Sequence, residues 1–413
     1  MLGWEFPPFF AGGVGIVCNE LCGALNQLGT DITFIMPSGP SDIYDNISVV
    51  DSKKPKFKII VANNTRIGQS VKVRKIDSPL TAYAGFDEYA KTYEKILKRS
   101  QQGKKPLYGK NLLEEVNRFA KQVQLIVQDE DYDVIHAQDW VTYPAAIALK
   151  KLTGKPLVVH VHITEFDKSG GVHADSRIYK IEKEGMDYAD KVIVVSNKIK
   201  DRCIKQYFID PNKISVVHNA ATPMGETSYR NKISSKDKIV LFAGRITLQK
   251  GPDYFVEAAK KVLEKRKDVK FVMAGTGDML PKMIEMAADL GIANNFIFTG
   301  FYTRQEADIL FDMADVCVMP SISEPFGVIP FEAQMKNTPT IISKQTGISE
   351  ILKHTLTVDF WDTDDIANKI LALLQYSALH KEIQDKGYLE AKSATWTIPA
   401  SKCLNIYQEL IHI

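Results

Sequence analysis

The chain is expected to be an α/β protein built from two doubly wound units, each a parallel sheet with helices on both faces. Three observations carry that expectation. Short β-branched runs alternate with helical patterns through most of the 413 residues, the arrangement that builds parallel sheets. The alternation halts at a polar stretch carrying Pro223 and Gly225, then restarts. A glycine turn near the N-terminus leads into a helix and then a strand, which is half of a dinucleotide-type unit.

That turn lies in "LGWEFPPFFAGGVG", which begins at the second residue. Behind it Val14, Val17, Leu21, Ala24, Leu25 and Leu28 recur at helical spacing, Gly29 stops the helix, and "DITFIMP" reads as a strand. The strand expected ahead of the turn is missing, since only Met1 and Leu2 precede Gly3. Either that strand is nearly absent, or Met1 is an internal methionine of a longer natural chain.

Further strands are expected at "FKIIV", "VKVRKI", "DVIHA", "PLVVHVH", "KVIVVS" and "KISVV", with long helices at 87–99 and 112–128, where apolar residues keep three and four spacing. The polar "VVHNAATPMGETSYRNKISSKDK" ends this run and marks the boundary between a unit at 1–220 and one at 221–395. In the second unit "KIVLFAG", "VKFVMAG", "NFIFTG", "DVCVMPS", "TPTIISK" and "TLTVDF" are the strands, and a final amphipathic helix at 398–411 follows Trp396. Ligands of such sheets bind beyond the C-terminal ends of the strands, so chemistry is expected in the loops after them.

Composition narrows the partners. The 52 basic and 50 acidic residues nearly cancel, so nothing electrostatic points to nucleic acid, and affinity for an anion has to be local. One basic segment, 95–110, suits either an acidic membrane or phosphorylated acceptor, or a solvated helix end and loop. Cys18, Cys22, Cys203, Cys317 and Cys403 are odd in number and scattered in apolar segments, which argues against a disulfide framework and for a reducing compartment. Cys18 and Cys22 share a helix face without further ligands, so core packing is the simpler reading than metal. No signal peptide precedes Gly3 and no apolar run approaches a membrane span, so a soluble, cytoplasmic protein is expected.

The strongest constellation is "LFAGRITLQKG" with "PSISEPFGVIPFEAQ" far downstream. Arg245 directly follows a strand, and Lys250 precedes Gly251 and Pro252, a residue favoured at the first position of a helix. Two cations projecting from one βα loop suit a pyrophosphate; otherwise they are solvated surface charges. Glu324 lies in a loop, Pro325 and Gly327 are expected to open a helix, and Glu332 comes eight positions on, inside it. Helix-start amides there would face a phosphate or hydroxyl, and the carboxylates could contact different parts of one ligand, for example hydroxyls of two sugars; either glutamate alone reads equally as a cap or ion pair.

On these residues the chain resembles the nucleotide-sugar glycosyltransferases of the two-Rossmann GT-B fold, family four and the neighbouring glycogen and starch synthases. The likeness runs from Trp4 to Trp396 and is densest from Val240 to Leu352. It implies two domains facing across a cleft, with the C-terminal helix crossing back to the first. Arg245 and Lys250 would bind the donor diphosphate, Glu324 the donor sugar and Glu332 the ribose. The amides of Phe326, Gly327 and Val328 would contact sugar and phosphate, while Gly275 of "AGTGD" and Phe301 of "GFYTRQE" would border the nucleotide. Gly12 and Gly13 match a loop whose amides approach the donor, and there a side chain would block the approach. His162 falls where a synthase histidine contacts the donor sugar, and Asp139 and Asp167 fall on the acceptor side. His160 reads more simply as a core residue.

The resemblance also implies a retaining transferase that uses no metal and no cofactor. Its donor would be a nucleoside diphosphate sugar such as ADP-glucose or UDP-glucose, and its acceptor an α-glucan or another glycosyl acceptor. Glucan synthases of the bacterial and plant type carry Lys where this chain has Phe10, a departure that fits the broader family four better. Transfer to a lipid, small sugar or sugar phosphate, sugar-nucleotide epimerisation, and noncatalytic binding of a sugar nucleotide stay open as alternatives.

Overall fold

Runs of Val, Ile and Leu in the inner strands pair as parallel ladders covered on both faces, which is why they read as continuous apolar stretches rather than alternating ones. The computed structural model describes residues 1–7, 13–37, 57–61, 112–168, 174–222, 224 and 237–411. The expected strand "VKVRKI", the expected helix at 87–99, the basic segment 95–110, Phe10 and Gly12 lie outside the described residues.

The first unit runs α1 (Gly13–Gln27), β1 (Ile32–Met36), β2 (Phe57–Val61), α2 (Leu112–Ile126), β3 (Ile135–Gln138), α3 (Tyr143–Thr153), β4 (Leu157–Val161), α4 (Glu165–Lys168), α5 (Ser176–Tyr188), β5 (Lys191–Val194), α6 (Asn197–Tyr207) and β6 (Ile214–Val216). The helix expected at 112–128 ends at Ile126 and continues as one 3-10 turn, Val127–Asp129. Strands β3 to β6 pair in sequence order and β1 pairs with β2. Residues 1–3 join the two ladders. The Leu2 amide donates to His136 O at 2.8 Å and its carbonyl accepts from Gln138 N at 2.9 Å, while Gly3 N donates to Ile35 O at 3.0 Å and Ile35 N to Met1 O at 2.9 Å. Leu2 thus stands as a bridge between β1 and β3 in the interior of the sheet. Gly3 is required there because a Cβ would meet the Phe34 ring at 2.2 Å.

The second unit contains β7 (Lys238–Ala243), α7 (Pro252–Lys265), β8 (Val269–Ala274), α8 (Leu280–Asp289), β9 (Phe296–Gly300), α9 (Arg304–Met313), β10 (Val316–Met319), α10 (Ile329–Met335), β11 (Thr340–Ser343), β12 (Leu356–Val358), α11 (Thr363–Gln375) and α12 (Ser377–Ser393). Its sheet has the order β12-β11-β10-β7-β8-β9, so the chain winds outward from β7 in one direction and then in the other. The turn expected to open a helix at Pro325 does not. The helix starts at Ile329, because Gly327 adopts φ 91° and Ile348 N and Gly347 N take the carbonyls of Phe326 and Glu324.

The last helix, α13 (Thr397–Ile411), packs on the first unit: Trp396, Ala400, Cys403, Ile406 and Tyr407 share one core with Val17, Cys18, Leu21 and Leu25 of α1. Cys18 and Cys22 are buried in that core, and all five cysteines are free. Direct contacts join the units. Ser196 Oγ donates to Pro325 O at 2.6 Å, and the Glu350 carboxylate caps α6 by accepting from Asn197 N at 2.9 Å and Lys198 N at 3.0 Å. Gly347 makes this approach possible, since a Cβ there would lie 2.0 Å from Pro325 O. Among the described residues no helix is long and apolar enough to cross a membrane.

Candidate active site

Because β7 and β10 are neighbours although far apart in sequence, the loops after them lie side by side at the point where strand order reverses, the position where open α/β sheets bind ligands. Backbone contacts lock them together. Ile322 N donates to Gln249 O at 3.0 Å, and Gly251 (φ 63°) has no room for a Cβ, which would stand 2.2 Å from Pro320 O. This pairing places the Lys250 ammonium in contact with the Glu324 carboxylate, with side chains only 15% and 10% exposed. Arg245, half-buried, stands in the same loop just after Gly244. A cation and a carboxylate therefore meet at the switch point, in a loop that also carries Arg245.

Glu332 sits in α10 and is buried, with Arg304 as its partner. Burial pushes its carboxyl above the usual range and Arg304 opposes that. Arg304 was not singled out by sequence reasoning. The signal was available, because a cation in the first turn of a helix works against the macrodipole, and the capping box of Thr303 and Glu306 already secures that terminus. Its position is explained by Glu332 instead.

Gly275 has φ 138°, and a Cβ there would stand 1.8 Å from Gly244 O. Its role in the structure is to let the loops after β7 and β8 pack backbone to backbone. Phe301, after β9, is 77% exposed. Among the described residues the amides of Phe326, Gly327 and Val328 donate to no protein acceptor, and the Phe326 side chain is buried near His218.

On the facing unit Asp139 ends β3 and is buried, in a backbone conformation (φ 57°, ψ 169°) that is strained for any residue with a side chain. Its Oδ1 accepts from His162 N at 2.8 Å, and its Oδ2 has no partner among the described residues. Burial raises its carboxyl to about 7, against the pull of the His162 and Ile163 amides. His162 is buried too, held neutral by burial with a value lowered to about 3; Nε2 bonds Gln138 Oε1 at 2.7 Å. His160 is buried between His136 and His162, with both ring nitrogens unpartnered among the described residues.

Asp167 occupies a different setting. It is fully buried at the junction of the units, where it accepts from Thr164 Oγ1 at 2.7 Å and Ser323 Oγ at 2.9 Å and pairs with Arg202. It anchors the loop leading to Glu324 from the opposite domain. Gly13 opens α1 with nothing within 4 Å of where a Cβ would lie. A separate cavity of about 330 Å³ lies between α1 and the junction of α12 and α13, and none of these residues lines it.

The two Rossmann-like units have the architecture of the GT-B glycosyltransferases. Two family models match parts of the chain, "Glycosyl transferases group 1" over residues 225–390 and "Glycosyltransferase Family 4" over 81–223. An uncharacterised glycosyltransferase of Methanocaldococcus jannaschii is 27% identical, with 99% of this chain and 97% of that protein covered. A D-inositol 3-phosphate glycosyltransferase of Pseudarthrobacter chlorophenolicus is 24% identical over 97% of this chain and 91% of its own. Among solved structures, Anabaena HepE in complex with UDP and glucose superposes with a TM-score of 0.70 at 14% identity, covering 99% of this chain and 98% of that one.

Proposed function

We propose that the chain is a retaining hexosyltransferase that moves a glucosyl group from UDP-glucose or ADP-glucose to an acceptor hydroxyl, with Arg245 and Lys250 meeting the charge of the leaving diphosphate without a metal. The observation that carries this reading is the contact of Lys250 with Glu324, made by the pairing of the loops after β7 and β10, the first of which also carries Arg245. As the anomeric C–O bond breaks, charge builds on the departing phosphate oxygen. Two cations brought to the loop after β7 by the fold stabilise that charge. Lys250 then turns from Glu324 to the diphosphate, and the released carboxylate receives donor-sugar hydroxyls. Glu332, steadied by Arg304, accepts from the ribose. The acceptor hydroxyl attacks from the face that the diphosphate leaves, and the departing phosphate takes its proton, so no side chain serves as nucleophile. Retention and this front-face course rest on the family resemblance.

For the acceptor, the motifs favour an α-glucan. A second reading, a phosphorylated polyol or sugar, is favoured by the near full-length match to an enzyme named for D-inositol 3-phosphate. Nucleoside diphosphate release from UDP-glucose, ADP-glucose and other donors, measured with glycogen, maltose or inositol 3-phosphate, tests both. Release that requires glycogen or maltose supports the glucan reading. Release only with the phosphorylated polyol replaces it with the second, and conversion of the donor without any acceptor overturns transfer altogether.

A further inference from the structure

Side chains two residues apart on a strand share a face, so His136 and Gln138 of β3 project beside His160 and His162 at the end of β4, with Gln138 in register with His160. On this face one hydrogen-bonded line crosses the unit. Tyr407 Oη of α13 lies 2.5 Å from His136 Nδ1, His136 Nε2 lies 3.3 Å from Gln138 Nε2, and Gln138 Oε1 lies 2.7 Å from His162 Nε2. All four residues are at most 6% exposed, so no group in the line exchanges freely with water.

Donor and acceptor matching fixes the protons. The Gln138 amide nitrogen only donates, so His136 Nε2 is the acceptor, and His136 therefore carries its proton on Nδ1 and donates to Tyr407 Oη. The Gln138 amide oxygen only accepts, so the His162 proton sits on Nε2. His162 Nδ1 is left as a buried lone pair with no partner among the described residues.

We propose that Gln138 is a positioning residue that holds His162 as its Nε2–H tautomer, leaving Nδ1 to accept a hydrogen bond from a donor-sugar hydroxyl, with Tyr407 of the C-terminal helix fixing the far end of the line. This rests on the donor reading above. It also explains why α13 returns to the first unit with a tyrosine, whose hydroxyl meets the histidine behind the site. With the amide turned over, every proton in the line would reverse and His162 would present an N–H, which suits a carbonyl or phosphate rather than a hydroxyl acting as donor.

The test is the ¹⁵N spectrum of the selectively histidine-labelled enzyme, in which protonated and bare ring nitrogens are separated, recorded for the wild type and for Gln138→Leu, Gln138→Glu and Tyr407→Phe. The wild type is expected to show a bare Nδ1 at His162. Gln138→Glu keeps an oxygen against Nε2 and retains that tautomer, whereas Gln138→Leu and Tyr407→Phe shift the proton toward Nδ1. On the hexose donor the shifted variants lose roughly tenfold to a hundredfold in kcat/KM, the scale of a buried polar group left unsatisfied, and Gln138→Glu restores most of it. If Gln138→Leu does not fold, Tyr407→Phe reads the same line from another element. A protonated Nδ1 in the wild type overturns the proposal, as does a tautomer unchanged by both variants. An enzyme that turns over no hexose donor overturns the donor reading instead, and the spectrum still decides the role of Gln138.

Discussion

Asp139→Asn is expected to stabilise the first unit while lowering turnover. Burial holds the Asp139 carboxyl at about 7 instead of its ordinary 3.8. The folded chain therefore binds this proton more tightly than the unfolded chain. That contribution to stability is fully present below pH 3.8 and is lost as pH rises through 7. A displacement of roughly three pH units corresponds to about 4 kcal/mol between the two limits. The amide removes this dependence, at a fixed cost of about 1–3 kcal/mol if its NH₂ meets no acceptor where Oδ2 now has none. The fixed cost cancels when the difference between variant and wild type at pH 8 is compared with that at pH 4. Urea unfolding of the first unit, followed from pH 4 to pH 8, should show that difference moving in favour of the variant by about 4 kcal/mol, with most of the change between pH 4 and pH 7. Parallel profiles would refute the assignment of a buried, proton-hungry carboxyl. A variant that gains stability at pH 8 and also keeps full turnover would separate Asp139 from catalysis.

Arg245→Ala and Lys250→Ala should each lower nucleoside diphosphate release by about 10²–10³-fold, the scale for removing one donor to a developing oxyanion; unchanged turnover would disprove the diphosphate assignment. Arg304→Ala leaves Glu332 buried without this ion-pair partner, which should cost about 1–3 kcal/mol in the second unit, and adding Glu332→Gln should recover part of the lost melting temperature. Gly275→Ala places a Cβ against the Gly244 carbonyl in a left-handed backbone, so a melting temperature equal to wild type would contradict the packing of the loops after β7 and β8. Glu350 is pushed up by burial, but the His218, Asn197 and Lys198 hydrogen bonds outweigh that and hold it near 2. Its tether between the units should thus hold above pH 4.5 and weaken as pH falls toward 2, seen as an expanding scattering radius that Glu350→Gln makes independent of pH.

Local chemistry made much of the fold readable. β-branched runs bounded by glycine and proline marked the second sheet strand by strand, and the polar stretch after Val217 marked where one alternation ends. The departures are instructive. At Pro325 the proline and glycine resemble a helix start, but Gly327 takes a left-handed turn and the neighbouring carbonyls are drawn to Gly347 and Ile348. Glu324 through Val328 thus form a loop stitched to another loop, which no local pattern shows. Asp167 reads as a residue beside the acceptor, whereas its burial against Arg202 and Ser323 depends on a partner from the other unit.

By itself the sequence determined the class of fold and the residue types of the loops after β7 and β10, because βα periodicity and the spacing of Arg245, Lys250, Glu324 and Glu332 are local properties of the chain. Only the tertiary structure decided that Lys250 meets Glu324, that Arg304 holds Glu332, and that Tyr407, Gln138 and His162 form one line. Those contacts join residues far apart in sequence, and they exist because parallel strand order brings the loops together and α13 crosses back between units. The same holds for "LGWEFPPFFAGGVG", whose first residues look too few for a strand and yet are bonded on both sides, to β1 and to β3.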